Sequence, residues 1–234
     1  MPGYERPDYW TLRAKKEGYP ARSVYKLEEI VRKFGLLKGL GERGPGGGAT
    51  EKPVSAAPAV GGRDRAGPPV PAILDVGAAP GSWSLWLLRQ MKGAGHLVAV
   101  DIQDLGIAPA DANFSFLKGS ILDEPVRASL RDSGPFQLVV SDAAPATSGN
   151  RLVDQSRSEE LVEAVMGLAL EVLAPGGSLV MKIFQGGEEH RLLSELRAHF
   201  GQARAFKPEA CRSESFETYL VATGFARRDK QDSP

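Results

Sequence analysis

The chain has 234 residues, 42% of them hydrophobic and 25% charged, enough for one domain with a full core. Its 29 basic and 29 acidic residues balance, which excludes binding to nucleic acid or membrane through overall charge; any such surface must be a local patch. The single cysteine, Cys211, excludes an internal disulfide framework, and no apolar run is long enough to span a bilayer.

The first ten residues, MPGYERPDYW, are polar and lack the apolar centre of a signal peptide, so a cytoplasmic protein is expected. Residues 1–40 read as a basic helical module. Within it, 22–34 (RSVYKLEEIVRKF) sets Val24, Leu27, Ile30, Val31 and Phe34 on one helical face. Arg6, Arg13, Lys15, Lys16, Arg22, Arg32 and Lys33 are interleaved with Tyr4, Tyr9, Trp10 and Tyr19, a composition suited to RNA, where phosphates attract cations and bases stack. For any one of these residues a solvated helix face is the plainer reading. Residues 41–71, rich in Gly, Pro and Ala, bury too little apolar surface to offset ordering and read as a flexible insertion.

From 72 to 226 the pattern alternates. Strands are predicted at 72–77 (AILDVG), 96–101 (HLVAVD), 136–142 (FQLVVSD), 178–184 (SLVMKIF), about 203–207 and 217–223. Helices are predicted at 84–91, about 122–131, 157–173 and 188–200, the third closed by an APGG stop; residues 227–234 form a polar tail. Such alternation implies a mostly parallel sheet covered on both faces, with ligands bound beyond the carboxyl ends of its strands.

ILDVGAAPGSW (73–83) is a buried strand entering a glycine turn that opens a helix. Gly77 and Gly81 allow a tight bend and close ligand approach. Asp101 ends the following strand, where a carboxylate can accept from both hydroxyls of an adenosine ribose. A nicotinamide enzyme is disfavoured: G-x-G-x-x-G is absent, and Pro80 stands where a pyrophosphate needs backbone N–H groups. S-adenosylmethionine carries no phosphate and loses nothing there. The alternative is a plain strand-turn-helix junction.

Lys182 interrupts an apolar strand, where an ammonium is costly without a partner, unless it snorkels out at the strand end. Asp142 ends the preceding strand, so the two converge on one edge; alone, Asp142 would be a turn residue. Glu217 opens the last strand and Lys26 lies on the first helix, and spacing alone leaves both as surface charges. His96, His190 and His199 lack metal-ligand spacing, and no metal is expected.

With these residues set out, the chain resembles the FtsJ/RrmJ (RlmE-type) family of ribose 2′-O-methyltransferases. The blocks ARSVYKLEEI, LDVGAAPGSW, VVSDAAPATSG, VLAPGGSLVMKIFQG and KPEACRSESFETYLVATG occur in family order, covering nearly everything except 41–71. The resemblance implies a Rossmann-like class I methyltransferase with a mostly parallel seven-stranded sheet and helices on both faces. It implies S-adenosyl-L-methionine as cofactor and a catalytic set of Lys26, Asp142, Lys182 and Glu217. Cofactor contacts are expected from Gly77, Pro80, Gly81, Ser82, Trp83, Asp101, Ser120 and Asp142. One departure concerns FLKGSILDE: Ser120 stands where the family often has an aspartate facing the adenine.

The implied substrate is a ribose 2′-hydroxyl in RNA, a uridine of large-subunit (23S-type) ribosomal RNA, with transfer RNA as the alternative because GYPARSVYKL is also similar to members acting there. Lys182 is expected to serve as base or to orient the hydroxyl; desolvation and a neighbouring cation such as Lys26 favour a neutral amine. Two other readings compete. DAAP at Asp142 is faintly similar to the (D/N)PP(Y/F) motif of amino-group methyltransferases, and a non-catalytic RNA-binding or ribosome-assembly protein can retain this fold.

Overall fold

The computed structural model describes residues 8–38, 72–145, 151–184, 188–212 and 215–226, with backbone only at 151–156. The insertion at 41–71, the tail at 227–234, Tyr4 and Arg6 lie outside the described residues.

Helices α1 (Tyr9–Glu17) and α2 (Val24–Phe34) precede β1 (Ala72–Val76), α3 (Ser82–Met91), β2 (His96–Asp101), β3 (Phe114–Lys118), α4 (Glu124–Ser133) and β4 (Phe136–Ser141). Then come α5 (Arg151–Val172), β5 (Leu173–Phe184), α6 (Glu189–His199), β6 (Phe200–Phe206) and β7 (Glu217–Phe225). The strands form one seven-stranded sheet in the order β3-β2-β1-β4-β5-β7-β6. β1 to β5 run parallel; β7 lies antiparallel between β5 and β6. After β3 the chain crosses back to place β4 on the other side of β1. A crevice therefore opens at the carboxyl ends of β1 and β4.

All five residues of β1 are buried, as a strand covered on both faces requires. Alternate residues serve different layers. Leu74, Val76, Val98 and Val139 pack with Leu130, Leu168, Val172 and Leu196 of α4, α5 and α6. Ile73, Leu97, Val140, Val180 and Val221 pack with Leu27 and Ile30 of α2 and Trp86 and Leu87 of α3. The N-terminal helices thus share a core with the sheet.

The structure differs from the sequence reading in several elements. α1 went unpredicted because only Ala14 on it is buried, so no apolar stripe marks it. Its ends carry the signal instead: the Asp8 carboxylate accepts from Thr11 N at 2.8 Å, and Gly18 closes it with φ +74°. β3 was missed because its residues are half-exposed at the sheet's edge. APGG does not separate helix from strand. It is an excursion within β5, between the pairings Phe136↔Leu173 and Leu138↔Ser178. α5 begins at Arg151 rather than at 157, and α4 at Glu124, behind Asp123.

Candidate active site

Strand register assembles the site. β4 and β5 pair Val140↔Val180 and Ser141↔Met181, so Asp142, the first residue beyond β4, arrives beside Lys182. β5 and β7 pair Lys182↔Tyr219 and Phe184↔Glu217. By strand alternation these side chains share the face of Val140, Val180 and Val221, which α2 and α3 cover. α2 delivers Lys26 to the same face.

The outcome is a row of polar groups on a largely apolar layer. Lys182 Nζ lies 3.1 Å from Asp142 Oδ1 and donates to the Asp142 carbonyl oxygen at 2.5 Å. Lys26 Nζ lies 2.6 Å from Glu217 Oε2. Lys26 and Lys182 are only 9% and 8% exposed, and at that depth each amino group depends on its acid. Burial alone would raise the Glu217 pKa, but the hydrogen bond from Lys26 and the charges of Lys26 and Lys182 prevail and hold it below the usual carboxylate range.

Tyr219 is the member that sequence reading missed. Its fully buried hydroxyl donates to Asp142 Oδ1 at 2.7 Å, and Lys26 Nζ stands 6.0 Å from its ring centroid. Burial, then the Asp142 carboxylate, push its pKa well above the ordinary tyrosine value, so it stays a donor. The signal was the i, i+2 spacing from Glu217, which puts both on one strand face.

Among the described residues, hollows lie on either side of this row. One, of about 610 Å³, opens over the ends of β1, β2 and β4; Gly77, Pro80, Asp101, Ser120 and Asp142 line it, with Ile102 and Leu122 as apolar walls. Asp101 is pinned by two turns: Oδ2 accepts from Ala79 N of the glycine turn and Oδ1 from Gln103 N of its own, both at 2.8 Å, and each oxygen retains a lone pair. Gly77 has φ +73°, and a Cβ there would come 2.6 Å from the Ala143 Cβ, so only glycine lets the β1 turn lie against the Asp142–Ala143 turn. The second hollow, about 440 Å³, is lined by Ala21, Arg22, Ser23, Lys26, Arg212, Ser215 and Glu217.

Gly81, Ser82 and Trp83, expected on the cofactor, do not line the first hollow. Ile107 packs over Gly81, 2.4 Å from where a Cβ would stand. The first turn of α3 faces the 21–23 segment instead: Ser82 Oγ accepts from Ala21 N at 2.7 Å, and Trp83 Nε1 donates to the Ser23 carbonyl at 2.9 Å. These side chains anchor the start of α2, and with it Lys26.

The N-terminal basic and aromatic run is also partly structural. Arg13 stacks on Tyr25 and pairs with Glu17 and Glu28; Arg22 pairs with Asp8 and donates to the Ala210 carbonyl. Arg32 pairs with Glu28, Lys33 lies over Phe206, and Tyr19 supports Arg89. Lys15 and Lys16 are exposed on the last turn of α1.

The model of the FtsJ-like methyltransferase family matches residues 19–225. The chain belongs to that family. It is 43% identical over 222 residues to Ribosomal RNA large subunit methyltransferase E of Treponema denticola, covering 95% of this chain and 96% of that one. It is 39% identical over 220 residues to the protein of the same name from Borreliella afzelii, covering 94% and 99%. A Plasmodium falciparum protein described as a ribosomal RNA methyltransferase shares the fold: TM-score 0.63, 23% identity, 90% of this chain and 100% of that one.

The FtsJ-like protein is thus a methyltransferase, and its methyl donor is S-adenosylmethionine. The first hollow suits that group. Its charged lining is mainly acidic, with Asp101, Asp104, Asp142 and Glu160 against Arg157, as a sulfonium requires. Pro80 withholds the N–H that a pyrophosphate would need. Among the described residues no helix is long and apolar enough to cross a membrane.

Asp75 lies beneath the hollow, 1% exposed, on the same face of β1. Oδ2 accepts from Ser84 Oγ at 2.6 Å, and Oδ1 has no partner. Burial raises its pKa to about 7, against the Ser84 hydrogen bond and with help from Asp142 and Asp101. Between the ordinary value of 3.8 and about 7 the folded state therefore holds a proton that the unfolded chain has released. Its contribution is complete below 3.8 and is lost as pH rises towards about 7. Asp75→Asn should remove that slope and make the protein more stable than wild type at about pH 8 but not at about pH 4, as read by urea denaturation at each pH. Tyr219→Phe should lower kcat by about tenfold while leaving affinity for S-adenosylmethionine intact, because the lost hydrogen bond orients Asp142; equal loss of both by kinetics and calorimetry would count against that role.

Proposed function

We propose that this FtsJ-like protein transfers a methyl group from S-adenosylmethionine to a ribose 2′-hydroxyl of large-subunit ribosomal RNA in the cytoplasm. The observation that carries this is the Lys182–Asp142 pair, whose acid lines a hollow suited to the donor, next to the Lys26–Glu217 pair, which lines a second hollow with Arg22 and Arg212. The relatives named Ribosomal RNA large subunit methyltransferase E, at 39–43% identity over nearly their full length, support ribosomal RNA as the acceptor.

When bound, S-adenosylmethionine supplies a methyl carbon already activated by its sulfonium, so the protein must align the acceptor oxygen and receive its proton. A neutral amine has two N–H donors and one lone pair. In the neutral form that a base requires, both donors of Lys182 have acceptors on Asp142, the carboxylate and the carbonyl, which leaves the lone pair for a ribose hydroxyl. With the donor bound, Lys182 would take the hydroxyl proton as the ribose oxygen bonds to the methyl carbon and the carbon–sulfur bond breaks, its electron pair staying on the sulfur as a neutral thioether; the resulting ammonium would be stabilised by the Asp142 carboxylate beside it. Tyr219 holds that carboxylate from the other side. Lys26, kept in place by Glu217, provides a cation facing the second hollow, where a phosphodiester-linked ribose must enter. An amine acceptor would need carbonyl groups to hold it, whereas this row offers lysines.

The deciding experiment incubates the protein with methyl-labelled cofactor and either large ribosomal subunits or total transfer RNA, then identifies the labelled nucleoside. A 2′-O-methylnucleoside from the large subunit is expected; an N-methyl base or label in transfer RNA would overturn the assignment. Lys182→Ala should lower kcat by about 10²–10⁴-fold with little change in cofactor affinity, since its role belongs to the transition state; near-normal turnover, or an equal fall in binding, would remove it from that role. Replacing Lys15 and Lys16 by alanine should flatten the salt dependence of RNA binding by a slope of roughly 0.7 per lysine, and an unchanged slope would move the RNA surface away from α1.

A further inference from the structure

Among the described residues the large apolar side chains left exposed are Tyr9, Leu12, Ile102, Leu122, Phe184 and Phe216. Water-facing groups of this size mark contact surfaces when they gather. Ile102 and Leu122 already have a use as walls of the donor hollow. Phe184 and Phe216 lie at the opposite end of the polar row.

Phe184 ends β5 directly across from Glu217 and follows the strand alternation of Lys182, so its side chain emerges on the catalytic face. Its neighbour Ile183 is 2% exposed in the opposite layer, yet Phe184 is 42% exposed. Its ring centroid stands 5.9 Å from Lys182 Nζ. Phe216, 70% exposed, immediately precedes Glu217. Aromatic groups thus adjoin the hollow that Arg22, Lys26 and Arg212 make cationic. A flat apolar ring beside cations complements a nucleotide, which joins a flat base to an anionic backbone.

The connectivity of a nucleotide narrows this further. Its base hangs from the sugar carbon next to the one bearing the 2′-hydroxyl. A ribose oxygen at Lys182 therefore brings its own base within one ring's reach of the amine, where the Phe184 ring stands. We infer that Phe184, with Phe216 beside it, is the stacking platform for the base of the acceptor nucleotide, held unstacked from its RNA neighbours. This rests on the ribose reading above. Stacking accepts any base, so the platform fixes position and leaves sequence choice to other contacts.

The test is a cycle between the ring and the base. After the methylated nucleotide is mapped, an RNA is prepared with an abasic ribose there, its 2′-hydroxyl intact. On intact RNA, Phe184→Ala should lose about tenfold in kcat/KM and Phe184→Trp should keep most of it, with affinity for S-adenosylhomocysteine unchanged in both. On abasic RNA the wild-type enzyme should lose a similar factor, and Phe184→Ala should lose nothing more. Should Phe184→Ala lose cofactor affinity, Phe184→Leu, which keeps apolar bulk, carries the same cycle. Equal losses for the variant on both RNAs, with wild-type label on the ribose, would overturn the platform alone. Wild-type label on a base would overturn the ribose reading and the platform together.

Discussion

A lysine amino group placed inside a sheet strand is the constraint around which this molecule is arranged. Lys182 is flanked in β5 by side chains that are almost fully buried, and the acid and the carbonyl of Asp142 compensate its loss of water. That compensation requires β4 to end one residue before Asp142, in register with β5. It also requires the β1 turn to pass close beneath, which the absent side chain of Gly77 permits. The pair is fixed by backbone geometry on three adjacent strands, so its two groups cannot drift apart without disturbing the sheet.

The two faces of the sheet have different duties. The layer formed with α4, α5 and α6 is mainly apolar, with Ser141 and Thr218 as small buried polar side chains on its strands, and supplies stability. The layer under α2 and α3 mixes apolar packing with Asp75, Lys182, Tyr219 and Glu217, and α2 contributes Lys26. Lys26 with Glu217 and Lys182 with Asp142 form two acid–base pairs, with a phenol hydrogen-bonded to the second, so removal of any member leaves its partner poorly compensated. The same row lies between the hollow that suits a sulfonium donor and the cationic one, which is the arrangement a transfer between two ligands demands.

The N-terminal segment shows how one composition serves two ends. Its arginines and aromatics resemble an RNA-binding run, yet Arg13, Arg22, Tyr19 and Trp10 mostly fasten α1 and α2 to each other and to α3. Ser82 and Trp83 complete that attachment from the glycine turn. A helix that carries Lys26 must be held to a fraction of its own diameter, and this network meets that need.

Sequence by itself determined the parts that depend on local pattern. Alternating apolar runs and glycine stops marked most strands and helices, and motif order marked the family, the glycine turn and the residues Lys26, Asp142, Lys182 and Glu217. Elements without an apolar stripe, such as α1 and the edge strand β3, left no such mark. Tertiary structure alone decided which polar groups meet, because that depends on register between strands distant in sequence. It brought Tyr219 onto Asp142, turned Ser82 and Trp83 towards α2, and left Asp75 with an unpartnered oxygen. A side chain's type and spacing follow from the chain, whereas its partner follows from where the sheet places the neighbouring strand.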